Sequence, residues 1–197
     1  MNTINQLNQA GILSDQDTIT LKELATGSDN ILIIGSDKQM NENLLRAVVE
    51  QRVNFNGGWY FKEWSDSDVR NLVPDFTGIN SNKIESYEAA RELVRAMTNT
   101  PIIIDEIKTP AMATFFLECC VGLRDRVTAT YSVNGSIQSF LNSFSQLTKP
   151  NIAMDHPNPN LVLEMHVEKV ISNITVLIVC NNENGVHKVS IVDRRNN

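Results

Sequence analysis

Short apolar runs alternate along the chain with longer stretches whose apolar residues recur at helical spacing. The runs predict three buried strands, at Asn30–Ile34, Ile102–Ile104 and Val127–Tyr131. The helical spacing predicts four helices, from about Glu42 to Gln51 and over Ile84–Met97, Ala111–Leu123 and Ile137–Leu147. Strands that alternate with helices indicate an α/β fold with a mostly parallel sheet and helices on both faces.

The two ends of the chain and residues 53–82 differ from this alternating pattern. The opening residues, up to about Leu24, have helical spacing that is broken at Gly11. Residues 53–82 mix aromatic side chains with turn-forming ones and predict one short strand near Trp59–Phe61. After residue 150, strands are predicted at Leu161–Ile171, Thr175–Val179 and His187–Val192, with a hairpin turn at Asn181–Gly185.

The length and composition are those of a globular protein, and the net charge limits the classes of partner that we expect. At 197 residues the chain suits one domain, which we divide into a helical lead-in (1–28), an α/β core (29–148) and a β-rich end (149–197). A net charge of -6 argues against nucleic acid as the main partner. The sequence has no apolar run that could insert in a membrane, no signal-peptide pattern and no disulfide framework. A reducing cytoplasm is the expected compartment.

Polar residues follow three of the predicted strands, at the sheet edge where ligands bind in such folds. They are Gly35–Glu42, Asp105–Glu106 and Thr130–Asn134. The first, in NILIIGSDKQMNENLLRAVV, has the strand, glycine turn and helix of a phosphate-binding loop, G-x-x-x-x-G-K-[ST]. An acidic pair after an apolar strand, as in IIIDE, can hold a Mg²⁺-bound water or polarise an attacking one, and it can equally cap a helix.

Residues 18–148 resemble the C-terminal motor domain of the type II/type IV secretion ATPases, which drive type IV pilus assembly, type II secretion and conjugative transfer. NILIIGSDKQMNENLLRAVVE is similar to that family's N-I-L-I-x-G-x-T-G-S-G-K-T-T-L-L-x-A-L. PIIIDEIKTPAMATFFLECCVGLRDRVTATYSVNGSIQSFLNSF is similar to its Walker B and histidine motifs in the same order. The resemblance implies a three-layer, RecA-like P-loop NTPase fold, and the closing strands are similar to those of the conjugation branch.

The resemblance implies a nucleotide-binding loop, but most of its functional positions are changed. Gly35 keeps the first glycine, whereas Asn41 stands for the lysine and Glu42 for the magnesium-ligating hydroxyl. Lys38 and Met40 replace the two later glycines that let the backbone approach a phosphate. We therefore expect these positions to be degenerate and non-binding.

Two carboxylates in this loop are candidates to interact with the helix N-terminus in place of a phosphate. Asp37 and Glu42 are expected at a helix N-terminus, where the helix dipole favours negative charge. We predict a self-capped turn over Gly35–Asn43. The alternative is that Lys38 serves as a displaced phosphate lysine.

The Walker B-like strand keeps Glu106 at the family's catalytic-base position, where we expect it to be vestigial. Asp105 replaces the family glycine there, and Lys108 stands for the usual arginine. The family's acidic motif, which precedes this strand, has no clear match in this sequence. Three residues are candidates for it: Glu63, Asp66 and Asp68.

The histidine motif has lost its histidines. Leu123 and Ser132 occupy their positions, while Asn134 of the motif remains. Arg91 and Arg95 match the family's arginines only if one residue of slip is allowed. Loss in the loop, the magnesium ligand and the histidines together indicates lost chemistry.

Other chemistry-bearing residues have weaker patterns. The three histidines have no metal-ligand spacing, so we predict no metal site: His156, His166 and His187. The adjacent Cys119 and Cys120 lie on an apolar helix and are expected in the core. The aromatic residues near residue 60 are expected in the core or at a partner contact rather than as a nucleic-acid platform: Trp59, Tyr60, Phe61 and Trp64.

The sequence therefore predicts a pseudo-ATPase that serves as a non-catalytic accessory or regulatory component of a bacterial type IV pilus, secretion or conjugative transfer machine. Its partner would be a true secretion ATPase or an inner-membrane platform protein, with homo-oligomers as a further possibility. It would need no cofactor, lack the family's N-terminal domain, and lie in the cytoplasm or peripherally at the inner membrane. The alternatives are a divergent but active ATPase, which would use ATP and Mg²⁺, and a binding module on a borrowed P-loop fold.

Overall fold

A computed structural model gives the fold of the chain. It describes residues 3–52, 57–62, 76–97, 100–121, 126–134, 136–148 and 174–194 except 184, together with isolated residues between 157 and 172.

The centre of the molecule is one seven-stranded sheet in the order β3-β2-β4-β5-β1-β6-β7. The strands are β1 (Ile31–Gly35), β2 (Gly58–Lys62), β3 (Phe76–Asn80), β4 (Ile102–Ile104), β5 (Val127–Ser132), β6 (Val176–Glu183) and β7 (Val186–Asp193). All neighbouring strands are parallel except β6 and β7, which form an antiparallel hairpin. β1 and β4 are buried along their whole length, as expected for central parallel strands.

Helices cover both faces of this sheet. They are α1 (Ile4–Gln9), α2 (Asp15–Thr26), α3 (Lys38–Arg52), α4 (Tyr87–Ala96), α5 (Pro110–Val121) and α6 (Ile137–Thr148), with a 3-10 turn at Ser81–Lys83. Ile31 and Ile33 of β1 pack in a core cluster with α1, α2 and α3, whereas Leu32 and Ile34 pack in a second cluster with α4, α5 and α6. Alternating strand residues therefore feed two separate cores, which makes the domain three-layered.

Most predicted elements agree with the structure. The α/β class with helices on both faces is confirmed, as are the three central strands, the break at Gly11 and the C-terminal hairpin. Trp59, Tyr60 and Phe61 lie on β2 and contribute to the cores, and both Cys119 and Cys120 are buried. The strand β3 was not predicted, because its sequence FTGIN offers only five residues without a long apolar run.

One predicted boundary and one predicted element are wrong. The helix expected from Glu42 begins at Lys38, because Asp37 caps it and no glycine interrupts its first turn. The strand expected over Leu161–Ile171 is not found, since residues 161, 162, 164, 165, 168 and 172 are helical. Leu161 and Met165, whose alternation with polar residues suggested a strand, lie four residues apart and are also compatible with helical spacing.

In the part of the chain that the structure describes, no helix has the length and apolar character needed to cross a membrane.

Candidate functional site

The three polar strand ends meet at one edge of the sheet. β5 lies between β1 and β4, and the register sets Gly35 of β1 beside Ser132 of β5. The backbone N–H of Val133 donates to the carbonyl of Gly35 at 3.0 Å, and that of Ile107 donates to Thr130 at 2.9 Å. The loop after β1 and the acidic pair after β4 are therefore separated by a single strand end.

The connection from β1 to α3 consists of only two residues, Ser36 and Asp37. Asp37 Oδ1 accepts a hydrogen bond from the Met40 N–H at 3.1 Å, and its carbonyl accepts one from the Asn41 N–H at 3.0 Å. This is N-cap geometry, which satisfies backbone donors that would otherwise be open at a helix start. The residues aligned with the phosphate-binding loop thus form the first turn of a helix.

Asn41, at the position of the family's lysine, turns back into the protein. Its side chain is 1% exposed, and its Nδ2 donates to the carbonyl of Gly35 at 3.0 Å. A Cβ added at Gly35 would lie 2.6 Å from the Asn41 Oδ1 and 2.8 Å from the carbonyl oxygen of Cys180. Gly35 is therefore required here for close approach by the chain's own atoms.

Glu106 is held from three sides at the end of β4. Its Oε2 lies 3.0 Å from Lys38 Nζ and 3.4 Å from Lys108 Nζ, and Ser132 Oγ donates to its Oε1 at 2.6 Å. Burial alone would raise the pKa of Glu106, but the hydrogen bonds from Ser132 and Lys38 and the two lysine charges outweigh it, so the pKa lies below its ordinary value. The carboxylate is stabilised in its charged form.

The pKa of Asp105, the neighbouring carboxylate, is shifted in the opposite direction to that of Glu106. Burial raises the pKa of Asp105 above its ordinary value, and the charge of Glu42 adds to the shift against the opposing effect of Lys62. The Tyr60 hydroxyl lies 3.4 Å from Asp105 Oδ1. Burial also raises the pKa of Tyr60, so in both groups burial disfavours the charged form.

The two carboxylates predicted to cap the loop have separate roles. Asp37 is the cap, and its Oδ2 also lies 3.4 Å from His187 Nε2 on β7. Glu42 is not at the helix start, because α3 begins four residues earlier; it forms an ion pair with Arg46 one turn further along the helix. The prediction that Glu42 caps the helix is wrong.

An open cleft of about 560 Å³ adjoins Glu106 on the side away from β1. It lies between the start of α4 and the start of α5, with Ser81, Asn82, Glu85 and Ser86 on one wall and Lys108 and Thr109 on the other. Asp105 and Glu106 also line it. The sheet edge is thus filled by protein at β1 and open to solvent at β4.

Several predicted site residues do not join this cluster. Arg95 lies in the last turn of α4 and pairs with Glu92 at 2.8 Å, and Asn134 follows β5. Some predicted residues lie outside the described part of the chain: Glu63, Trp64, Asp66, Asp68, Leu123, His156 and His166. Among the residues that the structure describes, no group of three or more His, Cys, Asp or Glu side chains is placed to hold a metal ion.

Sequence reasoning missed the two contacts that join the strand ends, between Lys38 and Glu106 and between Asp37 and His187. The charge pattern was the available signal for the contact with Glu106. Lys38 follows β1 and Lys108 follows β4, close to the one glutamate that both contact. Chemically, the arrangement is a self-contained network of opposite charges. It has no free glycine-rich loop that could surround a phosphate group.

Comparison with known proteins gives a consistent structural result. No protein-family model and no curated sequence matches the chain. Among solved structures, the VirB11 ATPase of the Brucella suis type IV secretion system, in complex with sulphate, superposes with a TM-score of 0.71 over 98% of this chain at 12% identity. The chain has the fold of the secretion traffic ATPases.

Two further structures have the same secretion ATPase fold. The Legionella pneumophila ATPase DotB matches with a TM-score of 0.64 over 95% of the chain at 8% identity. The pilus retraction motor PilT with bound ADP matches with a TM-score of 0.54 over 91% at 11% identity. The chain spans about half the length of these proteins, covering 55%, 50% and 50% of them. The predicted resemblance to secretion ATPases is thus confirmed at the level of the fold.

Proposed function

We propose that this chain is a non-catalytic component of a secretion or pilus machine, in which the nucleotide site of an ATPase fold is occupied by the protein's own side chains. The observation that carries the proposal is the ion pair between Lys38 and Glu106 across the end of β5, at 3.0 Å. It joins the loop that would hold phosphate to the residue that would activate water. A bound triphosphate would have to displace it.

The phosphate half of the site supports this proposal most strongly. Phosphate loops bind anions through free backbone N–H groups, a lysine and a hydroxyl. Here the N–H groups of Met40 and Asn41 already donate to Asp37. The lysine position is a buried asparagine, and the hydroxyl position is Glu42, whose charge repels phosphate.

The catalytic half is also poorly suited to hydrolysis. A general base works best when its pKa lies near the working pH, so that it is both deprotonated and able to accept a proton. Two ammonium groups and the Ser132 hydroxyl hold the pKa of Glu106 below its ordinary value. Glu106 would therefore be a weak base, and its two oxygens are already engaged.

The names of the structural neighbours support the proposal that the chain belongs to a secretion or pilus machine. VirB11 is named as an ATPase of a type IV secretion system, and PilT as a pilus retraction motor. By analogy, we place this chain in the cytoplasm or peripherally at an inner membrane, beside an active secretion ATPase or a membrane platform protein. It would act there as a folded binding or regulatory subunit and require no cofactor.

A divergent, active ATPase is the second candidate, and one observation favours it. The Lys38 side chain is 62% exposed although its ammonium contacts Glu106. An exposed lysine can turn toward a phosphate group, so Lys38 could act as a displaced phosphate lysine while Glu106 is released to activate water.

A complementation experiment in the source organism separates the candidates. Cells that lack the chain should lose secretion or pilus function and regain it with the wild-type chain. Glu106→Gln should restore function fully, because the proposal gives Glu106 no catalytic task. Glu92→Gln, which changes an exposed carboxylate paired with Arg95, is the matched control. If Glu106→Gln is folded and present at normal levels yet fails to restore function, while Glu92→Gln succeeds, the non-catalytic proposal is wrong.

A further inference from the structure

Arg52, the last residue of α3, has a guanidinium group that is enclosed by the protein. α3 starts at the carboxyl edge of the sheet and ends at the amino edge, where Arg52 Nη2 donates to the carbonyl of Asp29 at 2.6 Å, just before β1 begins. The residue is 0% exposed. This amino edge is opposite the Lys38–Glu106 contact, so the role of Arg52 there is independent of the proposed loss of ATPase activity.

Most of the hydrogen-bonding capacity of this guanidinium is unused. An arginine side chain is always charged in proteins and carries N–H donors on three nitrogens. Nε and Nη1 of Arg52 are buried, and neither has a hydrogen-bond acceptor among the residues that the structure describes. None of the ion pairs within that part of the chain includes Arg52. Because buried donors and charges are costly when they are unpaired, these two nitrogens point to an acceptor other than the described residues.

The charges that act on Arg52 at this edge are not balanced. Burial lowers the pKa of Arg52 to about 9; the carboxylate of Asp29 raises it, and the positive charge of Arg126 lowers it further. Arg126 has a φ of 72°, which is unusual for a residue other than glycine, and its N–H donates to the Ser28 carbonyl at 3.1 Å. Its backbone is therefore fixed beside the start of β1. Within the described residues, two guanidinium groups thus interact electrostatically with one carboxylate, which leaves an excess of positive charge.

We propose that a small anion of the size of chloride binds beside the Arg52 guanidinium at the amino edge of the sheet. It would accept a hydrogen bond from Nε or Nη1 and balance the second positive charge. Hydrogen bonds between ions are stronger than those between neutral groups. A water molecule could accept the same hydrogen bond, but it would leave the excess of positive charge unchanged. Since the anion binds only where α3 is folded against the start of β1, it would stabilise the folded state by linkage.

Urea unfolding in sodium chloride and in sodium gluconate tests the anion site. The two salts are exchanged at constant ionic strength, so that screening of surface charges does not change. The unfolding midpoint of the wild-type chain should rise as chloride replaces the bulky gluconate. Arg52→Met should lose this response, because methionine fills much of the space of arginine without its charge. Arg95→Met is the matched control, since Arg95 is exposed and pairs with Glu92 on the surface of α4. It should respond to chloride as the wild type does.

Crystals of the wild-type chain grown in sodium bromide locate the anion directly and do not depend on whether Arg52→Met folds. Bromide replaces chloride and scatters X-rays anomalously, so an anomalous peak should lie within hydrogen-bond distance of Arg52 Nε or Nη1. The proposal is wrong if that position holds only a water molecule without anomalous signal. It is also wrong if the wild-type midpoint does not depend on chloride, or if Arg52→Met and Arg95→Met respond to chloride alike.

Discussion

The β1–α3 and β4–α5 junctions begin alike and end differently. Both follow strands that are fully buried in the same parallel sheet, and both reach the same edge. After β1, two residues suffice before the helix starts, and the side chain of Asn41 fills the turn. After β4, five residues precede α5, and all of them except the buried Ile107 line an open cleft.

The difference separates two requirements of an ATP site. Binding a triphosphate needs an empty, flexible loop, whereas activating water needs one carboxylate in a fixed position. The β1 junction has filled its loop with the protein's own atoms, while the β4 junction keeps the glutamate and supplies it with lysines. Under the proposed function, the fold is preserved while the phosphate half of the site is closed.

The largest expected effect is at Gly35, where the closed junction is most crowded. Gly35→Ala should destabilise the fold by about 2–3 kcal/mol, because its Cβ would clash with Asn41 Oδ1 and with the carbonyl oxygen of Cys180. Gly11→Ala is the control, since Gly11 has a positive φ of 72° but nothing within 4 Å. Its cost should be only about 1 kcal/mol. Equal costs in urea unfolding would mean that the β1 junction is not tightly filled.

The adjacent carboxylates after β4 should respond to neutralisation with opposite signs. At pH 7, Glu106→Gln should cost about 1 kcal/mol, since it removes a partly exposed ion-pair network. The lowered pKa of Glu106 means that this stability is present above pH 4.5 and is lost as the pH falls through the folded-state pKa. The cost of Glu106→Gln should therefore vanish in acid.

Asp105→Asn should instead stabilise the fold at pH 7, by an amount on the order of 1 kcal/mol, because an amide avoids the burial of a charge. The pKa of Asp105 is raised, so its contribution to stability is full below pH 3.8 and is lost as the pH rises through the folded-state pKa. The gain from Asp105→Asn should thus disappear in acid. Urea unfolding of both variants at neutral and acidic pH checks the signs, and two changes of the same sign at pH 7 would refute this electrostatic description.

The smallest expected effects distinguish the two carboxylates of the β1 junction. Asp37→Ala should cost about 1 kcal/mol, because it removes the cap of α3 and the contact with His187. Glu42→Gln should cost only about 0.3 kcal/mol, the typical value of a helical ion pair such as that with Arg46. Thermal unfolding measures both. A larger cost at Glu42 would restore it as the capping residue.

The sequence was sufficient for the central layers of the fold, since β1, β4 and β5 are apolar runs whose burial leaves little choice of structure. The sequence was insufficient where one segment is compatible with two different secondary structures. Residues 38–41 have no glycine and follow a capping aspartate, so local helix formation overrode the loop expected from the family. The segment over Leu161–Ile171 has alternating apolar residues that also suit a helix.

For the site, the sequence identified which strand ends meet but not which side chains pair. The order β1-β5-β4 and the register of Gly35 with Ser132 are properties of the assembled sheet. They bring Lys38 within 3.0 Å of Glu106 although the two are far apart in the chain. The contact of His187 with Asp37 likewise depends on where the hairpin adds to the sheet.

The most direct test of a self-occupied nucleotide site is calorimetric titration of the wild-type chain with ATP and Mg²⁺. We predict binding no tighter than about 1 mM, which corresponds to about -4 kcal/mol. Lys38→Ala should bind no more weakly, because Lys38 contacts Glu106 rather than phosphate. Micromolar affinity that Lys38→Ala weakens, together with phosphate release that Glu106→Gln abolishes, would contradict the account and establish an active ATPase.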